Sequence, residues 1–134
     1  MPRRLERKTR KTGYMYFDVS KVRSNMSIDE ILDIIFSRCE EYKRIAKTIL
    51  EGVKEIAINK DREKLSINSQ EMSQLINEKL SSKKKSITYR VLSEFLIPMG
   101  LITYRREDGT YTIGNDFRVA LNRIASSYTR WMKI

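Results

Sequence analysis

The spacing of apolar residues predicts a chain built mostly of helices. From residue 28 to residue 50, apolar side chains recur at steps of three and four, which places them on one helix face. Ser27 and Glu30 form a capping box at its start, because the hydroxyl accepts from the third backbone amide and the carboxylate reaches back. We therefore predict one helix of about six turns that ends near Gly52. Cys39 falls on its apolar side and is expected in the core.

A second helix is predicted from its start signal. Asn68 and Glu71 have the spacing of a capping pair, and the helix runs to about Leu80 with four apolar residues inward: Met72, Leu75, Ile76 and Leu80. Upstream, residues 65–67 are predicted as a short strand, whereas residues 53–64 fit either a helical continuation or a loop. Residues 14–19 are rich in aromatic side chains and fit a short strand or an ordered arm that packs on the core.

A third helix follows a polar break at residues 81–85. Ser86 is predicted to cap it, and Pro98 and Gly100 to end it, with a last turn distorted by Pro98. Its inward face is predicted to consist of six apolar side chains: Ile87, Val91, Leu92, Phe95, Leu96 and Met99.

A hairpin is predicted after the third helix. Residues 101–105 and 110–113 are prone to form strands, and Asp108-Gly109 between them is a strong hairpin signal. A last helix begins at Asn115 or Asp116. Its apolar residues alternate by four and three, as in a coiled-coil seam: Phe117, Leu121, Ile124, Tyr128 and Trp131. They pack either on the first helix of the same chain or on a second copy, and we predict a homodimer.

The middle of the chain resembles the winged helix-turn-helix DNA-binding superfamily. The resemblance rests on the run Ser86–Leu92, on Met99–Ile102 and on a hairpin turning at Asp108-Gly109, and it covers about residues 65–114. It implies a mainly α fold with a small β-hairpin, flanked by a long N-terminal helix and a C-terminal helix. We therefore predict a basic flexible tail over residues 1–13 and one winged-helix domain over residues 14–134.

Net charge is unevenly distributed along the sequence. The formal charge is +10, and two segments account for it, because residues 1–13 and residues 83–106 each carry six basic residues against one glutamate. The first long helix, in contrast, has more acidic than basic residues and is predicted to be scaffold. Clustered positive charge is typical of a protein that neutralises phosphates.

A groove-reading helix and its wing explain the second basic segment. Arg90 is expected to contact guanine, and Thr88 or Tyr89 a phosphate or a thymine methyl. The lysines are expected to supply affinity through phosphates, and the wing arginines to reach a minor groove or flanking backbone. The predicted DNA-binding residues are Lys83, Lys84, Lys85, Ser86, Thr88, Tyr89, Arg90, Ser93, Arg105 and Arg106, with Arg3 and Arg4 of the tail.

Composition disfavours the other function classes. The chain has no histidine and one cysteine, so we predict no catalytic site, no metal site and no cofactor, and no small-molecule ligand is evident. No apolar run is long enough to span a bilayer. We expect a cytoplasmic, nucleoid-associated protein, namely an archaeal or viral transcriptional regulator that binds double-stranded DNA as a dimer. The alternatives are a plasmid or viral replication or partition factor, and a winged-helix module that binds protein in a polymerase or replication assembly.

Overall fold

The computed structural model of the protein describes residues 15–133. The chain forms two compact units, of which one ends at Lys47 and the other begins at Thr48. Arg3, Arg4 and the predicted tail lie outside the described residues. The architecture is mainly helical with a small antiparallel sheet of three strands.

The first unit contains helix α1 (Ile28–Ile35) and the start of helix α2 (Glu40–Asn59). The predicted capping box is confirmed, since Glu30 N donates to Ser27 Oγ at 3.2 Å and Ser27 N donates to Glu30 Oε1 at 2.9 Å. The predicted single helix is wrong in two respects. It is broken at residues 36–39, and its second part continues past Gly52 to Asn59.

The break between α1 and α2 has its own packing. The Phe36 ring is buried and meets the Tyr42 ring edge to face, with centroids 6.3 Å apart. Cys39 lies in the break and is half-buried, so its predicted place on a helix within the core is wrong. Ion pairs of Lys43 with Asp33 (2.7 Å) and of Lys47 with Asp29 (3.0 Å) also bridge the break. Aromatic packing therefore ends α1 where the apolar spacing alone shows no interruption.

The aromatic segment that precedes α1 forms no strand. Residues 15–18 have no regular secondary structure, and a short 3-10 turn follows at Val19–Lys21. Tyr16 N donates to Ile34 O at 2.9 Å, which ties the segment to α1, but the Tyr16 and Phe17 side chains are exposed. Strand formation and packing on the core were therefore both wrong predictions for the described part of this segment.

The second unit begins within α2 and continues into strand β1 (Leu65–Asn68) and helix α3 (Ser69–Lys79). Residues 53–59 are thus helical, which resolves the ambiguous segment in favour of a continuation as far as Asn59. The predicted capping pair at α3 is confirmed, because Glu71 N donates to Asn68 Oδ1 at 2.8 Å and Asn68 N donates to Glu71 Oε1 at 2.9 Å.

Helix α4 (Lys85–Val91) continues directly into a π turn, Leu92–Leu96. In this turn Ile97 N donates to Leu92 O at 3.0 Å. Pro98 has no N–H and its ring would crowd the carbonyl four residues earlier in an α-helix, so a wider turn accommodates it. The expected distortion near Pro98 is confirmed. Gly100 ends the segment at φ +84, a conformation that favours glycine.

The sheet consists of β1, β2 (Thr103–Arg105) and β3 (Thr110–Ile113), with β3 in the centre. The predicted hairpin is confirmed, and Gly109 provides its turn at φ +63. Sequence analysis did not foresee that β1 joins β3. Since Asn68 pairs with Thr110 and Ser69 Oγ donates to Gly109 O at 2.9 Å, the hairpin turn is held close to the start of α3.

A core of aliphatic side chains fills the second unit. Helix α3, helix α4 with its π turn, strand β1 and the residue before β2 contribute, and so does the second half of α2. Its most buried members are Ile49, Val53, Ala57, Ile67, Met72, Ile76, Val91, Leu92, Leu96 and Ile102. Of the residues predicted inward on the third helix, Ile87, Phe95 and Met99 are only half-buried, as is Leu80 after α3.

Helix α5 (Asp116–Met132) follows β3, with Asn115 before its first turn. Asn115 makes no side-chain capping bond. Instead, Thr103 Oγ1 donates to Asp116 Oδ2 at 2.9 Å and Phe117 N donates to Gly100 O at 3.1 Å. The first turn of α5 is therefore anchored to β2 and to the end of the π turn.

Candidate functional site

Helix α4 presents a polar surface on the side opposite its buried residues. Tyr89, Arg90 and Ser93 are exposed, as the sequence predicts. Thr88, however, has an exposed fraction of 0%, and its Oγ1 donates to Lys84 O at 2.8 Å. The prediction that Thr88 lies on the outer surface is therefore wrong, and its hydroxyl instead completes the backbone hydrogen bonding of α4.

The three lysines before α4 belong to structured turns rather than to an open loop. A 3-10 turn, Ser82–Lys84, leads into the helix, and Lys85 is already its first residue. Ser86 is therefore not the cap, and Lys84, in that position, makes no side-chain capping bond. Lys83 and Lys85 are exposed, whereas Lys84 is half-buried. A compact double turn thus fixes the backbone positions of all three cations.

The hairpin places its two arginines at its far end. Arg105 is the last residue of β2 and Arg106 begins the turn, and both are exposed. The register pairs Arg105 with Thr110 and Tyr104 with Tyr111. Because neighbouring residues of a strand point to opposite faces, Arg105 lies on the sheet face opposite Tyr104. The hairpin therefore presents a cation on one face and an aromatic ring on the other.

Two tyrosines lie on that aromatic face. The Tyr104 and Tyr111 rings contact each other across the strands, with centroids 4.7 Å apart and planes inclined by 40°. Burial raises the pKa of the Tyr111 phenol above its usual value, and the neighbouring phenols of Tyr104 and Tyr89 raise it further. Tyr89 of α4 is thus close enough to affect Tyr111. Sequence analysis found Tyr89 but missed Tyr104 and Tyr111, although strand alternation in the hairpin could have paired them.

The cations of this surface differ in their partners from the two basic residues beside Glu71. Lys60 and Arg62 bind Glu71 at 2.7 and 2.6 Å. In contrast, no carboxylate of residues 15–133 forms an ion pair with four exposed cations of the α4 and hairpin segments: Lys83, Lys85, Arg105 and Arg106. Their charge is therefore available to an external anion.

Comparison of the chain with known families, proteins and structures finds no match. No protein-family model matches the chain. Neither a curated protein nor a solved structure matches it. The function of the protein is therefore inferred from its own surface.

Neither a metal site nor a membrane-spanning helix is found within residues 15–133. No group of three or more acidic or cysteine residues in residues 15–133 is arranged to hold a metal ion. None of the helices there is long and apolar enough to cross a membrane. Eight members of the predicted interface are exposed: Lys83, Lys85, Ser86, Tyr89, Arg90, Ser93, Arg105 and Arg106.

The apolar side chains of α5 form a second exposed surface. Exposed fractions are 65% for Ile124, 60% for Tyr128 and 79% for Trp131. The Tyr128 and Trp131 rings stack with centroids 6.1 Å apart. Leu121 is exposed as well, and Phe117 is half-buried. The contacts of α5 with the second unit therefore leave this seam largely uncovered.

Proposed function

We propose that the protein binds double-stranded DNA, with α4 in the major groove and the hairpin beside it, as a regulator of transcription. The observation that carries the proposal is the set of exposed cations without ion pairs at the start of α4 and at the end of the hairpin. A cation that has no ion pair and lies on a rigid element gains the most binding free energy from a phosphate, because binding releases counterions condensed on DNA.

The order of elements in the second unit supports the same function. Helix α3, a short connection, α4 and the β2–β3 hairpin follow one another as in a winged helix-turn-helix. In such an arrangement the second helix enters the groove, where its exposed side chains meet base edges. Arg90 is then the residue for base recognition, and Tyr89 and Ser93 flank it on the exposed side.

A salt titration tests this function directly. We expect the affinity for a labelled random duplex to fall steeply and linearly with the logarithm of salt concentration. In the double variant Lys83→Ala/Lys85→Ala, the slope should become shallower by about 2, because each phosphate contact contributes about 1.

A matched variant separates this surface from net charge in general. Lys54→Ala/Lys64→Ala also removes two exposed lysines of the second unit, but outside the α4 and hairpin segments. It should retain the slope of the wild type. A flat salt response of the wild type, or equal slopes for the two double variants, would favour the protein-binding module instead.

We further propose that the protein acts as a homodimer joined through α5. On a helical wheel, the positions that directly flank the apolar seam are occupied by uncharged residues, namely Ala120, Ala125, Ser127 and Met132. Arg118 lies just outside Ala125, and Arg123 and Arg130 point to other sides. Two copies can therefore approach along the seam without opposing like charges, and the small side chains permit close packing.

Light scattering coupled to size-exclusion chromatography tests the dimer. The wild type should elute with twice the chain mass at tens of micromolar, and Ile124→Asp should be a monomer, because it places a charge in the middle of the seam. Arg123→Asp changes the neighbouring residue on another side of α5 and should remain a dimer. A monomeric wild type at that concentration would refute this assembly.

A further inference from the structure

The β2–β3 hairpin has few contacts of its own with which to hold its arginines. Strand β2 has only three residues and lies at the edge of the sheet. Hairpins of this size are marginal by themselves. The pairing of β3 with β1, the Ser69–Gly109 bond and the Thr103–Asp116 bond anchor the hairpin to other elements, but none of them involves Tyr104, Arg105 or Arg106, so side-chain contacts of β2 also matter for the two arginines.

One ring contact meets this need. Tyr104 immediately precedes Arg105 and pairs in register with Tyr111 of the central strand, and the two rings are in contact at 4.7 Å between centroids. Cross-strand aromatic pairs are among the contacts that stabilise antiparallel strands most. Tyr111 in turn pairs with Ile67 of β1, which is buried. The row Ile67–Tyr111–Tyr104 thus connects the edge strand to the core.

We propose that Tyr104 is a positioning residue of the DNA interface: its ring, packed on Tyr111, fixes the strand end that carries Arg105 and Arg106. This inference rests on the proposed function. Tyr104 acts through its ring, on the face of the sheet opposite Arg105, and its hydroxyl has no part in the role.

The proximity of Tyr89 extends the connection to α4. The Tyr89 phenol of α4 is near enough to influence Tyr111 electrostatically. The ring contact of Tyr104 with Tyr111 orders the hairpin before DNA arrives, which lowers the cost of ordering it on binding.

A double-mutant cycle tests the inference with the full chain. Arg105→Ala/Arg106→Ala should weaken duplex binding about tenfold and make the salt slope shallower by about 2. Tyr104→Ala should reproduce most of this loss, and combining all three substitutions should add less than a further twofold. Tyr104→Phe keeps the ring and should bind like the wild type. Additive effects, or equal losses for the Phe and Ala variants, would overturn the positioning role.

Hydrogen exchange provides a readout that needs no DNA. Backbone amides of β2 and β3 should exchange about tenfold faster in Tyr104→Ala than in the wild type, and Tyr104→Phe should not change them. If the Ala variant fails to fold, Tyr104→Leu keeps an apolar side chain without the ring and takes its place. If the amides of β2 and β3 exchange in the ring-less variant as slowly as in the wild type, the inference is refuted, even when the wild type binds the duplex as proposed. Loss of salt-dependent binding in the wild type would instead refute the proposed function.

Discussion

Glu71 connects three elements at the start of α3, and its loss should be costly. The carboxylate accepts two hydrogen bonds from Arg62, at 2.7 and 2.6 Å, one from Lys60 at 2.7 Å and one from Asn68 N at 2.9 Å. Its side chain is only 12% exposed. Replacing Glu71 with Gln removes the charge and keeps one acceptor for Asn68 N–H, so the substitution isolates the ion pairs.

The size of the effect follows from the exposure of the partners. A charge-assisted bidentate pair with Arg62 contributes about 1.5 kcal/mol, and the more exposed Lys60 contributes about 0.5 kcal/mol. We therefore expect Glu71→Gln to lower the free energy of unfolding by about 2 kcal/mol, which corresponds to about 8 °C in melting temperature. Urea denaturation at neutral pH measures it. Glu78→Gln, on an exposed turn of the same helix, should change stability by less than about 0.5 kcal/mol.

Acid should abolish the difference between the wild type and Glu71→Gln. Hydrogen bonds from Arg62, with smaller contributions from Lys60 and Asn68, hold the pKa of the Glu71 carboxyl far below its usual value of 4.5, although burial acts in the opposite direction. A carboxyl with a lower pKa in the folded state stabilises the fold above the unfolded pKa, and this contribution is lost as the pH falls towards the folded pKa. A difference that stayed constant from about pH 5 to about pH 2 would refute the assignment.

Three further predictions follow from other contacts. Thr88→Val should leave duplex affinity and base preference unchanged in a binding assay, because the side chain is fully buried, whereas Arg90→Ala should relax base preference by about 1–3 kcal/mol. Gly109→Ala should lower the free energy of unfolding by about 1 kcal/mol, because Gly109 has a positive φ and an added Cβ would meet Ser69 Oγ at 2.8 Å. Gly114→Ala is the control, since a Cβ added at Gly114 meets no atom within 4 Å. Ile102→Ala, at a fully buried position, should cost about 3 kcal/mol in chemical denaturation.

Local signals were sufficient to predict the helix starts and the hairpin. Both capping boxes, at Ser27 and at Asn68, formed as predicted, because such a box involves only residues three apart. The turn at Gly109 is likewise specified by two neighbouring residues. In contrast, the pairing of β1 with β3 joins residues more than forty positions apart, and no short pattern in the chain encodes it.

The remaining errors arose where helical periodicity was ambiguous. Apolar spacing continues through the break at residues 36–39, and these residues include no glycine or proline, so no local signal marks the end of α1 there. Thr88 was predicted on an outer or flanking surface because four apolar neighbours were predicted to face inward, namely Ile87, Val91, Leu92 and Phe95. It lies instead three residues before Val91 and four before Leu92, on their buried side of the helix. A threonine at such a position can donate its hydroxyl to the carbonyl four residues earlier, here that of Lys84.

The anchored first turn of α5 has a consequence for the kind of DNA site that a dimer would select. Phe117 N donates to Gly100 O and Asp116 accepts from Thr103 of β2, so α5 departs from the hairpin and from the segment that follows α4 in a set direction. Two copies joined along α5 would hold their groove-reading helices at one separation. Such a protein would measure the spacing between two half-sites, and an insertion of about five base pairs, half a turn of the duplex, would rotate one half-site out of reach while leaving every base contact intact.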